Sequence, residues 1–162
     1  MDDQTRFWIA QQVADTKYTA DITPLFREGR KFAGKAPSTL ITDGAFNFNI
    51  AFRSAFWREN KALAIQHVRH VRFQGDLNNQ KMERMNGELR DREKIVRGIK
   101  REDSPLLDGL RIYHNFVRPH MGLDGRTPSE LAGIEVRGTD KWLTLIQNAS
   151  NERLKSKIRT ST

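Results

Sequence analysis

Ser38-Thr39-Leu40-Ile41-Thr42-Asp43-Gly44 is a short β-branched and apolar run that stops on a turn dipeptide. Pro37 breaks the chain just before it, so the pattern predicts a strand that ends at Asp43. Downstream, Phe48, Ala51, Ala55 and Phe56 recur at helical spacing within residues 46–60. Residues 64–73, AIQHVRHVRF, then alternate like a second strand. Strand, helix, strand is the rhythm of an α/β sheet.

Outward from this unit, residues 6–13, RFWIAQQV, place Phe7, Ile9 and Val13 on alternate positions and predict a further strand. Thr23-Pro24 opens a predicted helix through Phe32, with Thr23 as cap and Pro24 at its first position. Asn78 and Asn79 can cap a long helix reaching Ile99, and Pro105 to Val117 reads as another, stopped by Pro119. Thr127-Pro128-Ser129-Glu130 has the form of a capping box with proline at the first helical position. Trp142, Leu143, Leu145 and Ile146 suggest a turn or two of amphipathic helix, and Arg153, Lys155, Lys157 and Arg159 a disordered basic tail. No internal repeat is present.

Composition narrows the partners. The 162 residues suit one domain of ordinary size. Lys and Arg number 28 against 20 Asp and Glu, a net charge of +8 that favours a polyanion, nucleic acid or an acidic membrane surface. No apolar run approaches the ~20 residues of a membrane span, and Met1-Asp2-Asp3 is not a basic, apolar leader. The expectation is a soluble cytoplasmic protein. Cysteine is absent, so a metal would be held by oxygen or imidazole.

Asp43 closes a strand where α/β sheets tend to bind ligands, although Asp-Gly is equally ordinary turn chemistry. On the following helix, at about 100° per residue, Arg90, Lys94 and Arg97 fall within roughly 40° of Glu83. Met82, Met85, Leu89 and Val96 gather on another face, the natural core side. One carboxylate followed by a row of cations suits a phosphate backbone, and it also suits a solvated charged face. His67 and His70 point to opposite faces of a strand and make poor joint ligands, whereas His114 and His120 fit a helix C-terminus.

Three runs in order carry a resemblance. NNQKMERMNGELRDREK, from Asn78 to Lys94, resembles the last-carboxylate helix of the DDE-type transposase and retroviral-integrase superfamily. LITDG, from Leu40 to Gly44, resembles its second-aspartate strand, and YHNFVRPHMGLDGRTPSELAG, from Tyr113 to Gly133, its characteristic ending. The likeness covers residues 1–135, the expected partial catalytic core, and leaves 136–162 as a short helix and basic tail. It implies an α/β, RNase H-like (integrase core) fold with C-terminal helices. Asp43 and Glu83 would be the second and third catalytic, metal-binding carboxylates. Asn86, Arg90, Lys94 and Arg97 would lie near DNA.

MDDQTRFWIA resembles the family's turn between its second and third strands, so the first catalytic aspartate would belong upstream of Met1. The fold would then lack its first two strands and be poorly stable without a partner. The complete enzyme uses two magnesium (or manganese) ions, bridged by that first aspartate, for in-line phosphoryl transfer during DNA transposition and DNA integration. The implied partners are transposon ends and target DNA, with a homo-oligomer or a full-length transposase, at the nucleoid. The chain alone would be inactive. The rival reading is a non-catalytic DNA-binding or regulatory protein derived from a transposase.

Overall fold

A computed structural model describes residues 1–63, 65–69, 80–95 and 105–160, the side chains of 58–60, 62–63 and 157–160 aside. The chain divides into two units, Met1 with Ile9–Leu106, and Asp2–Trp8 with Leu107–Thr162.

The first unit is built on strand β1 (Thr39–Thr42), helix α2 (Phe46–Leu63) and strand β2 (Gln66–Arg69). The strands pair in parallel, with Thr39 opposite Gln66 and Thr42 opposite Arg69. The donation from the Gln66 N–H to the Ser38 carbonyl, 2.9 Å, carries the pairing back by one more residue. Parallel strands need a long crossover, and α2 supplies it. Its inner face presents Ala51, Phe52, Ala55 and Phe56, all buried. With Ile65 and the half-buried Phe26, Ala36 and Leu40 they form the core. Phe52 and Phe56 lie 5.7 Å apart, and Phe26 lies 6.0 Å from Phe56, the spacing of favourable ring pairs. A kink at Phe56, φ −119° and ψ 18°, divides α2.

Helix α1 (Thr19–Ala33) packs on α2. It begins before the expected Thr23-Pro24 start because Asp21 accepts the Tyr18 N–H at 3.2 Å and satisfies an end that needs a partner. Thr23 does not cap; its hydroxyl donates to the Thr19 carbonyl, 2.8 Å away. Pro24 therefore sits inside the helix. A Cβ at Gly29 would meet Ala10 Cβ at 3.7 Å, so this small residue lets the preceding segment lie against α1. Gly34 ends the helix in the left-handed conformation, φ +68°. Helix α3 (Gln80–Ile95) completes the described part of this unit.

Residues 6–13 do not form the expected strand. Adjacent Phe7 and Trp8 are both buried, which a strand with one buried face does not permit. Helix α4 (Pro105–Ile112), which enters the second unit at Leu107, widens there into a π-helical turn, Tyr113–Val117. From that turn the Asn115 amide accepts the Trp8 N–H at 2.8 Å and donates to the Trp8 carbonyl at 3.0 Å. Its side chain thus makes the two bonds a neighbouring strand would make. Phe7 meets Phe116 edge-on at 5.7 Å, and His114 Nε2 lies 3.0 Å from the Arg6 carbonyl oxygen. Asp2 and Thr5 form the expected turn, with Asp2 Oδ1 accepting the Thr5 N–H at 2.7 Å. Burial would raise the Asp2 pKa, but the bonds from Thr5 outweigh it and hold the group below its ordinary value.

A 3₁₀ turn, Met121–Leu123, leads to helix α5 (Pro128–Leu131). The capping box is present: Glu130 accepts the Thr127 N–H at 2.8 Å and Thr127 Oγ1 accepts the Glu130 N–H at 3.3 Å. Lys141 reaches Glu130 at 2.5 Å and, with the Thr127 bond, holds its carboxyl below the ordinary value. Helix α6 (Lys141–Thr160) replaces the expected disordered tail. Asp140 caps it by accepting the Leu143 N–H at 3.0 Å, and Lys155 pairs with Glu152 at 2.7 Å. Cations gathered toward its C-terminal end suit the negative pole of the helix. Among the described residues no helix is long and apolar enough to cross a membrane.

Asn115 is 2 % exposed, so its replacement strands two backbone groups away from water. Asn115→Ala should cost about 2–6 kcal/mol, at about 1–3 kcal/mol for each group left unsatisfied. Urea unfolding followed by tryptophan fluorescence measures this, and an unchanged midpoint would show that Asn115 does not hold Trp8.

Candidate functional site

Because β1 and β2 are parallel, their C-terminal residues Thr42 and Arg69 stand at the same end of the sheet. Asp43 follows Thr42 directly and is exposed. Its Oδ1 accepts the Ala45 N–H at 3.1 Å, which folds the turn over the carboxylate. Gly44 takes φ +82°, a backbone conformation that favours glycine. The Gly44 carbonyl accepts from Arg69 Nη2 at 3.1 Å. A carboxylate and a guanidinium thus share the polar end of the strand pair, where α/β sheets bind ligands.

Behind this end, His67 Nε2 lies 3.0 Å from Thr42 Oγ1, and its ring lies 4.6 Å from the ring of Phe52. Burial lowers the His67 pKa, and the charge of Arg69 lowers it further. Both effects favour the neutral imidazole, which belongs to the support of the sheet end. Of its expected companion, His70 lies outside the described residues. His120 acts as a helix-end group, its Nε2 3.1 Å from the His114 carbonyl oxygen, whereas the His114 ring turns to the Arg6 carbonyl instead.

Helix α3 turns Met85 inward and keeps Met82 and Leu89 half-buried. Glu83, in its first turn, is exposed together with Asn86, Arg90 and Lys94. These residues recur at spacings of three or four and share one face. Lys94 pairs with Asp91 at 3.2 Å, an exposed contact of small energetic worth. Arg97 lies outside the described residues, as does the segment 70–79 that leads from β2 to α3. Among the described residues, α3 shares no extended packing with β1.

Asp43 and Glu83 offer hard oxygen donors, the type magnesium prefers. Among the described residues, however, no three His, Cys, Asp or Glu side chains gather as a metal-holding group. The residues described do not by themselves fit a two-ion centre. Sequence reasoning pointed to Asp43 and to the α3 face but missed Arg69, whose role follows from strand register. Arg69 lies inside the alternating run 64–73, and the run itself does not show that the strand ends there.

No protein-family model, curated protein or solved structure matches the chain.

The exposed row on α3 should hold nucleic acid through phosphates, with affinity falling steeply as salt rises. Arg90→Ala combined with Lys94→Ala should flatten the log K against log salt slope by about 0.9 for each lost duplex phosphate contact. Fluorescence anisotropy across a salt series checks this; unchanged affinity and slope would make the row a solvated face only.

Proposed function

We propose that this chain is part of a DDE-type transposase or integrase catalytic core, acting in DNA transposition and integration. The observation that supports the reading most is the position of Asp43, directly after a strand of a parallel βαβ unit. Glu83 follows on a helix whose exposed face also carries Asn86, Arg90 and Lys94, in the order that the resemblance requires. In this reading Asp43 and Glu83 are metal ligands, and a third carboxylate from outside the described residues completes a site for two magnesium or manganese ions. Bound metal would stabilise the attacking and leaving oxygens of phosphoryl transfer. This chain's own residues supply two of the ligands and grip DNA near the scissile bond. The partners are transposon ends and target DNA, with a second copy or a complete transposase, at the nucleoid.

A second reading has its own support. The exposed cations of α3 and the basic end of α6 need no metal to engage DNA. A non-catalytic DNA-binding or regulatory protein derived from a transposase would use the same surfaces.

Incubated with magnesium and a DNA end, the 162-residue chain should neither cleave nor join strands. The same chain, extended upstream by the family's first two strands with the aspartate on the first, should gain joining activity. In the extended protein, Asp43→Asn and Glu83→Gln should each lower joining by about 10³-fold or more while DNA binding is kept. Metal-dependent cleavage by the 162-residue chain, or activity indifferent to both substitutions, would contradict the proposal.

A further inference from the structure

Helix α2 has a second face that is exposed among the described residues. Phe46, Ile50, Arg53 and Trp57 succeed one another at helical spacings, opposite the buried Ala51, Phe52, Ala55 and Phe56. Phe46 is 68 % exposed and Trp57 61 %. Rings left this open add little to stability, because burial is the source of their contribution. Cations are interleaved with them. Arg53 is exposed between Ile50 and Trp57, and Lys61 places Nζ 5.0 Å from the centre of the Trp57 ring. Phe46 stands three residues after Asp43, so the stripe starts beside the polar strand end and runs away from it along α2.

We infer that this stripe is a binding site for an unpaired DNA strand, with bases stacked on Phe46 and Trp57 and phosphates held by Arg53 and Lys61. The inference rests on the reading above, that the chain works on DNA. Charge complementarity selects the occupant. Phe46, Ile50, Arg53, Trp57 and Lys61 include two cations and no acid. A second copy docked face to face would set those cations against one another. An extended strand offers π-faces and anionic phosphates in alternation, and aromatic rings interleaved with cations match that alternation. From Phe46 to the kink at Phe56 the helix rises about 15 Å, at 1.5 Å per residue, and Trp57 follows directly, so the stripe is long enough for a few nucleotides. A duplex keeps its bases stacked on each other, so the stripe should discriminate between unpaired and paired DNA.

The test measures binding of a labelled oligonucleotide, unpaired and as a duplex of the same sequence, to the full chain at one fixed salt concentration. The unpaired form should bind more tightly. Trp57→Ala should weaken unpaired binding by about tenfold and leave duplex binding within about twofold, with Trp57→Phe retaining most of the affinity. Arg53→Glu should weaken both forms. Because Trp57 is exposed, its replacement leaves the core intact, and an unchanged unfolding midpoint verifies that. Equal losses for both DNA forms, or no loss for either, overturn the inference. So does Trp57→Ala abolishing self-association in sedimentation, or binding to anionic vesicles, with oligonucleotide affinity unchanged. If joining by the extended protein requires Asp43 and Glu83 while Trp57→Ala leaves unpaired binding unaltered, the stripe fails and the broader reading stands. If Trp57→Ala acts as expected and joining is indifferent to Asp43 and Glu83, the broader reading fails and the binding site stands.

Discussion

Two parallel strands cannot be closed by a tight turn; the chain must travel their length outside the sheet before it can pair again. In the first unit α2 makes that journey, and the consequences reach every described feature around it. The inner face of α2 packs Phe52 and Phe56 with Ile65 and Leu40. The same pairing places Thr42 against Arg69, so that Asp43, Gly44 and the guanidinium meet at one end. A hairpin of the same residues would have sent those groups to opposite ends. The polar end and the apolar core are two outcomes of one constraint.

The second unit depends on a different device. A buried backbone segment has to satisfy its N–H and C=O groups, and at Trp8 the side-chain amide of Asn115 does so from a residue 107 positions away. An amide has the donor and acceptor of a peptide unit, which is why one asparagine can stand in for a strand residue there. The widened π-helical turn carries both His114 and Asn115, and their neighbour Phe116 packs on Phe7. Apolar and polar groups therefore hold the same short segment from one turn of helix.

What could be read from the sequence was local. The β-branched run ending at Asp43-Gly44, the periodicity of α2 and the Thr127 to Glu130 capping box all write their structure within a few residues. The inward Met85 and outward Glu83 and Arg90 follow from the helical period alone. Residues 6–13 were misleading because their alternation resembles a strand, while the backbone at Trp8 answers to Asn115 far along the chain. The early start of α1 turned on one carboxylate, Asp21, reaching back to Tyr18. Arg69 was hidden because its bond to Gly44 depends on register, and the outer stripe of α2 because periodicity draws attention to the buried face first.

Asp43 and Glu83 can serve a common site only if the fold brings them together across the 39 residues that separate them. Carboxylates that share ions about 3.5–4 Å apart, each bound through oxygen at about 2.1 Å, must lie within about 8 Å of each other. The chain has no cysteine, so Asp43→Cys with Glu83→Cys introduces a single reactive pair. A thiol-reactive cross-linker of about that span should bridge it in high yield, as it should a control pair at Thr39 and Gln66, which face each other across the strands. Bridging of the control without bridging of the Asp43 and Glu83 positions would separate the two carboxylates and contradict the account.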